Sequence, residues 1–278
     1  MLNKKDLSKR VISAIIFGAI VIFLLNYNKD TEFIFLVLVG LGTGYEYIKI
    51  KLGGQIRPVL HIVATVLFAV YPALLQYFYS SLNSIGFVIL VALSIIYSFF
   101  LIAGLFLGLN WKTENRIIVY FEVLFYIGLP VILMTKVFIQ EREIQHSIIF
   151  LIILLIWIND TFAFFTGSLF GKHKLMPAIS PGKTVEGFIG GGIFTLAGAW
   201  ILSFFYKEFS MSFLFASAVV VWIAGTLGDL IESKLKRTYG LKDSGKIMPG
   251  HGGFLDRFDS FLFASVWVLA IYLLMYGV

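Results

Sequence analysis

The segment from Gly228 to Ser260, GDLIESKLKRTYGLKDSGKIMPGHGGFLDRFDS, concentrates the residue types that handle phosphate and metal. Asp229, Asp243, Asp256 and Asp259 offer hard oxygen ligands, the kind Mg2+ takes when it is shared with substrate phosphates. Lys234, Lys236, Arg237, Lys242 and Lys246 suit a polyanion, and Gly245, Gly250, Gly252 and Gly253 let backbone amides approach it closely. His251, in Pro-Gly-His-Gly-Gly, has no helix face to pack on and is expected to contact substrate. Arg257 sits between two aspartates, where it either neutralises them or grips a phosphate with both guanidinium arms.

A second stretch, GKHKLMPAISPGKTVEG from Gly171 to Gly187, is short and basic. Its Gly-Lys-Thr invites comparison with a P-loop, but that motif needs a glycine where this chain has Pro177, and it opens a helix after a soluble strand. The comparison fails on both counts. What remains is a Ser180-Pro181 turn with Lys183 and Thr184, donors suited to phosphate oxygens, followed by Glu186.

These residues must be positioned by membrane helices. Of 278 residues, 59% are hydrophobic and 14% charged, against roughly 25% charged in a soluble domain. The mean hydropathy is +0.92, and there is no cysteine, so any metal must be held by oxygen or imidazole. Apolar runs predict helices at about 11 to 27, 33 to 48, 59 to 79, 86 to 110, 117 to 138, 147 to 170, 188 to 206, 213 to 230 and 254 to 277. The expectation is an all-α, polytopic integral membrane protein of about nine transmembrane helices. It is read as a single transmembrane domain over 1–278, with amino-terminal helices over about 11–138 and catalytic helices and loops over about 147–278. The basic start, Lys4, Lys5, Lys9 and Arg10, is read as flanking a retained first span.

Seventeen of the 22 Lys and Arg fall in alternate connections, which places the amino terminus in the cytoplasm and the carboxyl terminus outside. Scattered among short loops, these cations suit lipid headgroups or phosphates and argue against a nucleic-acid partner. With that topology Glu46, Glu122, Asp160, Asp229, Asp256 and Asp259 fall in or near the cytoplasmic half, and Asp229 closes helix eight. Glu46 and Glu122 are as readily explained as partners of nearby cations holding helices together. Asp256 and Asp259, three residues apart, project from one face of helix nine.

The chain resembles the phosphatidate cytidylyltransferase, or CDP-diacylglycerol synthase, family. The resemblance rests on Ser233, Lys236, Arg237, Lys242, Asp243, His251, Gly252, Gly253, Asp256, Arg257 and Asp259, which match the family's carboxyl-terminal signature in spacing. Upstream, Asp160, Gly167, Phe170, Gly171 and Ser180 through Gly187 match a second pattern, with Phe164 where a tyrosine is common. The specific motifs cover roughly the last 120 residues. The resemblance implies attack of phosphatidate oxygen on the α phosphorus of CTP, Mg2+ dependence with a second cation left open, a cytoplasm-facing site in the cell (inner) membrane, and a homodimer. On this reading Asp229, Asp256 and Asp259 hold the metal, Lys236 and Arg237 clamp phosphate, and Ser180, Lys183, Thr184 and Glu186 close the site. The competing expectations are an ion- or proton-coupled transporter, whose coupling sites lie near the midplane, and a CTP-dependent polyprenol kinase.

Overall fold

The computed structural model describes residues 4–53, 57–80, 82–140, 147–245 and 252–277, with side chains from residue 13 onward. Eight helices among them are long and apolar enough to cross a membrane. These are α2 (Lys29–Leu52), α3 (Pro58–Tyr79), α4 (Ser84–Phe106), α5 (Arg116–Ile139), α6 (Ile148–Phe170), α7 (Val185–Leu202), α8 (Met211–Thr238) and α9 (Leu255–Tyr276). They follow α1 (Lys4–Asn26), whose described apolar part is Ser13–Asn26. The chain is thus an all-α polytopic membrane protein. Its outer surface carries the apolar side chains that lipid solvates, among them Ile96, Phe99, Phe165, Ile193 and Leu274.

Local chemistry fixes several ends. Asn28 caps α2 by accepting the Thr31 N–H at 2.8 Å, while Thr31 Oγ1 accepts the Asn28 N–H at 3.2 Å, a reciprocal capping box. Asn83, Ser147, Thr184 and Ser210 cap α4, α6, α7 and α8 in the same sense, each accepting a backbone N–H of the first turn. The tightest helix pair is α6 with α7, and α9 packs on α8 beside it.

Two expectations are corrected. The sequence places the end of helix eight at 230 with Asp229 closing it, whereas α8 continues to Thr238, so Ser233, Lys236 and Arg237 lie on a helix and not in a loop. The apolar run stops at Asp229, yet Leu230, Ile231 and Leu235 remain buried, and the Glu232–Lys236 pair one turn apart satisfies the polar positions. The basic connection after α6 is also not a plain loop. It folds into a two-stranded antiparallel hairpin, β1 (Lys174–Met176) with β2 (Ser180–Thr184), pairing Lys174 with Thr184 and Met176 with Ser180.

Candidate active site

A cavity of about 1010 Å3 opens where α6, α8 and the hairpin end and α7 and α9 begin, with Ser13, Phe17 and Gly18 of α1 forming one wall. Asp160 and Gly167 of α6, Lys183 and Thr184 of β2, Asp229 and Lys236 of α8 and Asp256, Arg257 and Asp259 of α9 line it. Asp160 is therefore an acid in a membrane helix whose exposure is to this polar cavity.

The backbone of α8 is shaped to present Asp229. A widened, π-type turn over Val221–Gly225 precedes it, and the Gly225 carbonyl accepts the Ser260 hydroxyl of α9 at 2.9 Å. Three residues on, Gly228 lies flat against α9. A Cβ there would stand 2.8 Å from Phe263 Cβ and 2.9 Å from the Asp259 carbonyl. The absent side chain is what lets Asp229 and Asp259, from two helices, face each other.

They meet with a third acid. Oxygens of Asp229, Glu232 and Asp259 all lie within 4.8 Å of one another. Glu232 and Asp259 are buried, and Asp229 is partly open to the cavity. Two lysines offset this charge: Lys183 Nζ stands 2.6 Å from Asp229 Oδ2, and Lys236 Nζ stands 2.6 Å from Glu232 Oε2. Ser233 donates to Asp229 Oδ1 at 3.2 Å. Burial disfavours the charged Lys183 ammonium, but the Asp229 carboxylate, with Asp160 and Asp259 beyond it, more than reverses this, so its pKa stands above the ordinary lysine value. Apart from the Lys236 ammonium, the fully buried Glu232 oxygens have no hydrogen-bond partner among the described residues. Three hard, convergent carboxylates with buried lone pairs to spare are the donor set that suits a divalent cation such as Mg2+.

Asp256 is occupied differently. Its Oδ1 meets Lys236 Nζ at 2.5 Å, and its Oδ2 accepts the Gly253 N–H at 2.7 Å and the Ser244 N–H at 3.0 Å. Gly252, at φ +85°, makes the turn that wraps this carboxylate, and a side chain there would strike Oδ2. Asp256 therefore anchors Lys236 and ties the loop after α8 to the start of α9, and it is not one of the three convergent acids. Glu46 of α2 supports the same corner, accepting the Leu255 N–H at 2.8 Å and the Ser244 hydroxyl at 2.6 Å at the amino terminus of α9. Glu122 pairs with buried Lys51 at 2.7 Å, joining α5 to α2.

Of the other residues singled out from sequence, Ser180 and Asp243 line the cavity. Glu186 turns away from it, accepting the His173 and Lys172 N–H groups and meeting His173 Nδ1 at 2.6 Å, so that it clasps the base of the hairpin. Arg237 donates to the Leu241 carbonyl at 2.8 Å outside the cavity lining, and Lys242 is exposed. Gly253 is buried beside Ser244 and Glu46, and His251 lies outside the described residues. Glu232 is not among the residues singled out from sequence, because it lies beyond the predicted end of helix eight, and its spacing of three from Asp229 gains meaning only once α8 is seen to continue.

The family model described as "Cytidylyltransferase family" matches residues 8–275. The chain belongs to the cytidylyltransferase family. It is 53% identical over 112 residues to a Staphylococcus haemolyticus protein named "Phosphatidate cytidylyltransferase", covering 40% of this chain and 43% of that relative. Proteins of the same name from Staphylococcus saprophyticus and Staphylococcus aureus (strain COL) are 48% identical over 124 residues and 45% identical over 128 residues. Those matches cover 44% and 45% of this chain and 47% and 49% of the relatives, so the similarity reaches about half of the relatives' length.

Proposed function

We propose that this member of the cytidylyltransferase family transfers a cytidylyl group from CTP to phosphatidic acid, giving CDP-diacylglycerol and pyrophosphate. The observation that supports the reading is the convergence of Asp229, Glu232 and Asp259, ion-paired with Lys183 and Lys236, beside a cavity that Asp229, Asp259 and both lysines line. A phosphate oxygen of phosphatidate attacks the α phosphorus of CTP, the bond from that phosphorus to the β phosphate oxygen breaks, and pyrophosphate leaves. A phosphomonoester with its second pKa at about 6 is mostly dianionic at neutral pH, so the nucleophile needs no general base. The obstacle is repulsion between two polyanions, and catalysis is chiefly positioning and charge compensation.

Asp229, Glu232 and Asp259 would hold Mg2+, which supplies compensation for the nucleotide phosphates. Lys183, swung from Asp229 to phosphate, and Lys236, steadied by Asp256, add two cations, while Arg257 faces the same volume. Ser180 and Thr184 present the hairpin side, where Thr184 also caps α7. The lipid-phase substrate and the water-borne nucleotide meet at helix ends, so neither leaves its phase. The site faces the cytoplasm of a bacterial cell membrane on this reading, as the distribution of Lys and Arg supports, and the protein works as a homodimer, as the family resemblance implies.

Purified protein in detergent is expected to convert labelled CTP and phosphatidate to CDP-diacylglycerol only with Mg2+ present, and Asp229→Asn to lose at least about 100-fold in rate. Transfer by Asp229→Asn at the wild-type rate refutes the assignment.

A further inference from the structure

A second and much smaller void of about 20 Å3 shares Glu232 with the acid cluster and no lining residue with the large cavity. It is lined by residues of α2, α4, α5 and α8 together with the loop residue Trp111. By this measure about 10–15 Å3 is enough for one water molecule, provided the walls supply two to four polar partners. The walls do. Glu232 lines this void, so one side chain joins the metal-binding acids on one face to the void on the other.

Polar atoms around the void are left over by the protein itself. Tyr126, 4% exposed on the widened turn Leu124–Gly128 of α5, has a hydroxyl with no hydrogen-bond partner among the described residues. Among the described residues the Glu232 oxygens have none beyond the Lys236 ion pair, and the Trp111 indole N–H, also without one, lies against Gly104 of α4. Glu122 holds Lys51 on one side, at 2.8 Å from Oε1 and 2.7 Å from Oε2, and Lys51 also donates to the Trp111 carbonyl at 3.2 Å. The inventory is complementary. Tyr126, whose O–H is a donor, lines the same small space as the carboxylates of Glu232 and Glu122, and water both accepts two hydrogen bonds and donates two.

We propose that this void is a built site for one ordered water, which takes a hydrogen bond from Tyr126 and donates to Glu232, making Tyr126 a positioning residue for the metal-binding acids. The inference rests on reading Asp229, Glu232 and Asp259 as the metal site. A buried hydroxyl without a partner is costly, so the water satisfies a group the protein leaves bare. A carboxylate held from behind also keeps one orientation toward its metal. Supporting partners of this kind change metal affinity or activity by about 10- to 100-fold when removed.

The experiment uses the full-length wild type together with Tyr126→Phe, which removes a single oxygen, and Tyr120→Phe as control. Tyr120 lies on the same helix, stacked on Phe68 at 5.3 Å and away from the void. Mn2+ binding is read directly by electron paramagnetic resonance in detergent, without CTP or lipid. Density in the void is read from a wild-type structure at a resolution that defines water, which keeps the test open even if a variant does not fold. The expected result is a peak within hydrogen-bonding distance of Tyr126 and Glu232, Mn2+ binding weakened about tenfold in Tyr126→Phe, and none of that loss in Tyr120→Phe. A dry void, or Mn2+ binding by Tyr126→Phe equal to wild type, overturns this inference while leaving the metal site standing. Failure of the wild type to bind Mn2+ overturns the metal site and this inference with it.

Discussion

Replacing Gly228 with alanine tests whether helix proximity builds the site. Alanine is the better helix former by about 0.8–1 kcal/mol, so at an open position the substitution stabilises. Gly228 is not open: the new Cβ would lie 2.8 Å from Phe263 Cβ, 2.9 Å from the Asp259 carbonyl oxygen and 3.2 Å from Ser260 Cα. All three belong to the frame of α9, and none rotates away. To bring 2.8 Å back to an ordinary contact of 3.4 Å, α8 and α9 must part by about 0.6 Å. Overpacking of this kind costs ~1–3 kcal/mol, enough to cancel the propensity gain. The same movement draws Asp229 from Asp259, and a misplacement of about 1 Å can cost roughly 100-fold in rate. The expected outcome is a lower melting temperature in detergent and a cytidylyl-transfer rate reduced about 10- to 100-fold, normalised to monodisperse protein. Wild-type activity together with an unchanged or raised melting temperature would refute the argument, because the close approach of the helices would then have no bearing on the acids.

Three further outcomes follow from the same geometry. Lys183→Met removes the ammonium paired with Asp229 and is expected to lower the transfer rate by about 100- to 1,000-fold with little loss of monodispersity, since the side chain sits on the cavity rim; a rate near wild type counts against its phosphate role. Glu46→Ala deletes the acceptor of the Leu255 N–H and the Ser244 hydroxyl, and thermal melting should report a loss of ~2–3 kcal/mol, with no change expected only if the cap is dispensable. Lys51→Met strands Glu122 and should destabilise by ~3–5 kcal/mol, much of it recovered in the double variant Lys51→Met/Glu122→Gln; a double variant as unstable as the single contradicts the pairing.

Hydropathy read the membrane helices well because lipid leaves the backbone no alternative to helix, and long apolar runs have no other use. It misplaced the end of α8 for a related reason: hydropathy marks where lipid ends, whereas the helix ends where packing and side-chain pairing end. Leu230, Ile231 and Leu235 are too widely spaced among charges to continue an apolar run, yet they seal the protein side of the helix. The hairpin of Lys174–Met176 and Ser180–Thr184 was hidden because strands this short have little alternation to detect, and it is the Glu186 clasp on His173 that fixes their base. Asp229 and Asp259 stood out through their company of glycine and cations, and Glu232 did not. Inside a stretch that read as loop, its spacing from Asp229 carried no meaning until the helix was known. Asp256 illustrates the converse, since its place in a dense motif says nothing about which partners occupy its two oxygens.

The measurement that bears most directly on the central claim is anomalous diffraction from crystals grown with Mn2+ in place of Mg2+. The account predicts a peak within coordination distance of carboxylate oxygens from Asp229, Glu232 and Asp259, with Lys183 displaced from Asp229. A peak coordinated by other residues, or full occupancy retained in Asp259→Asn crystals, would contradict it.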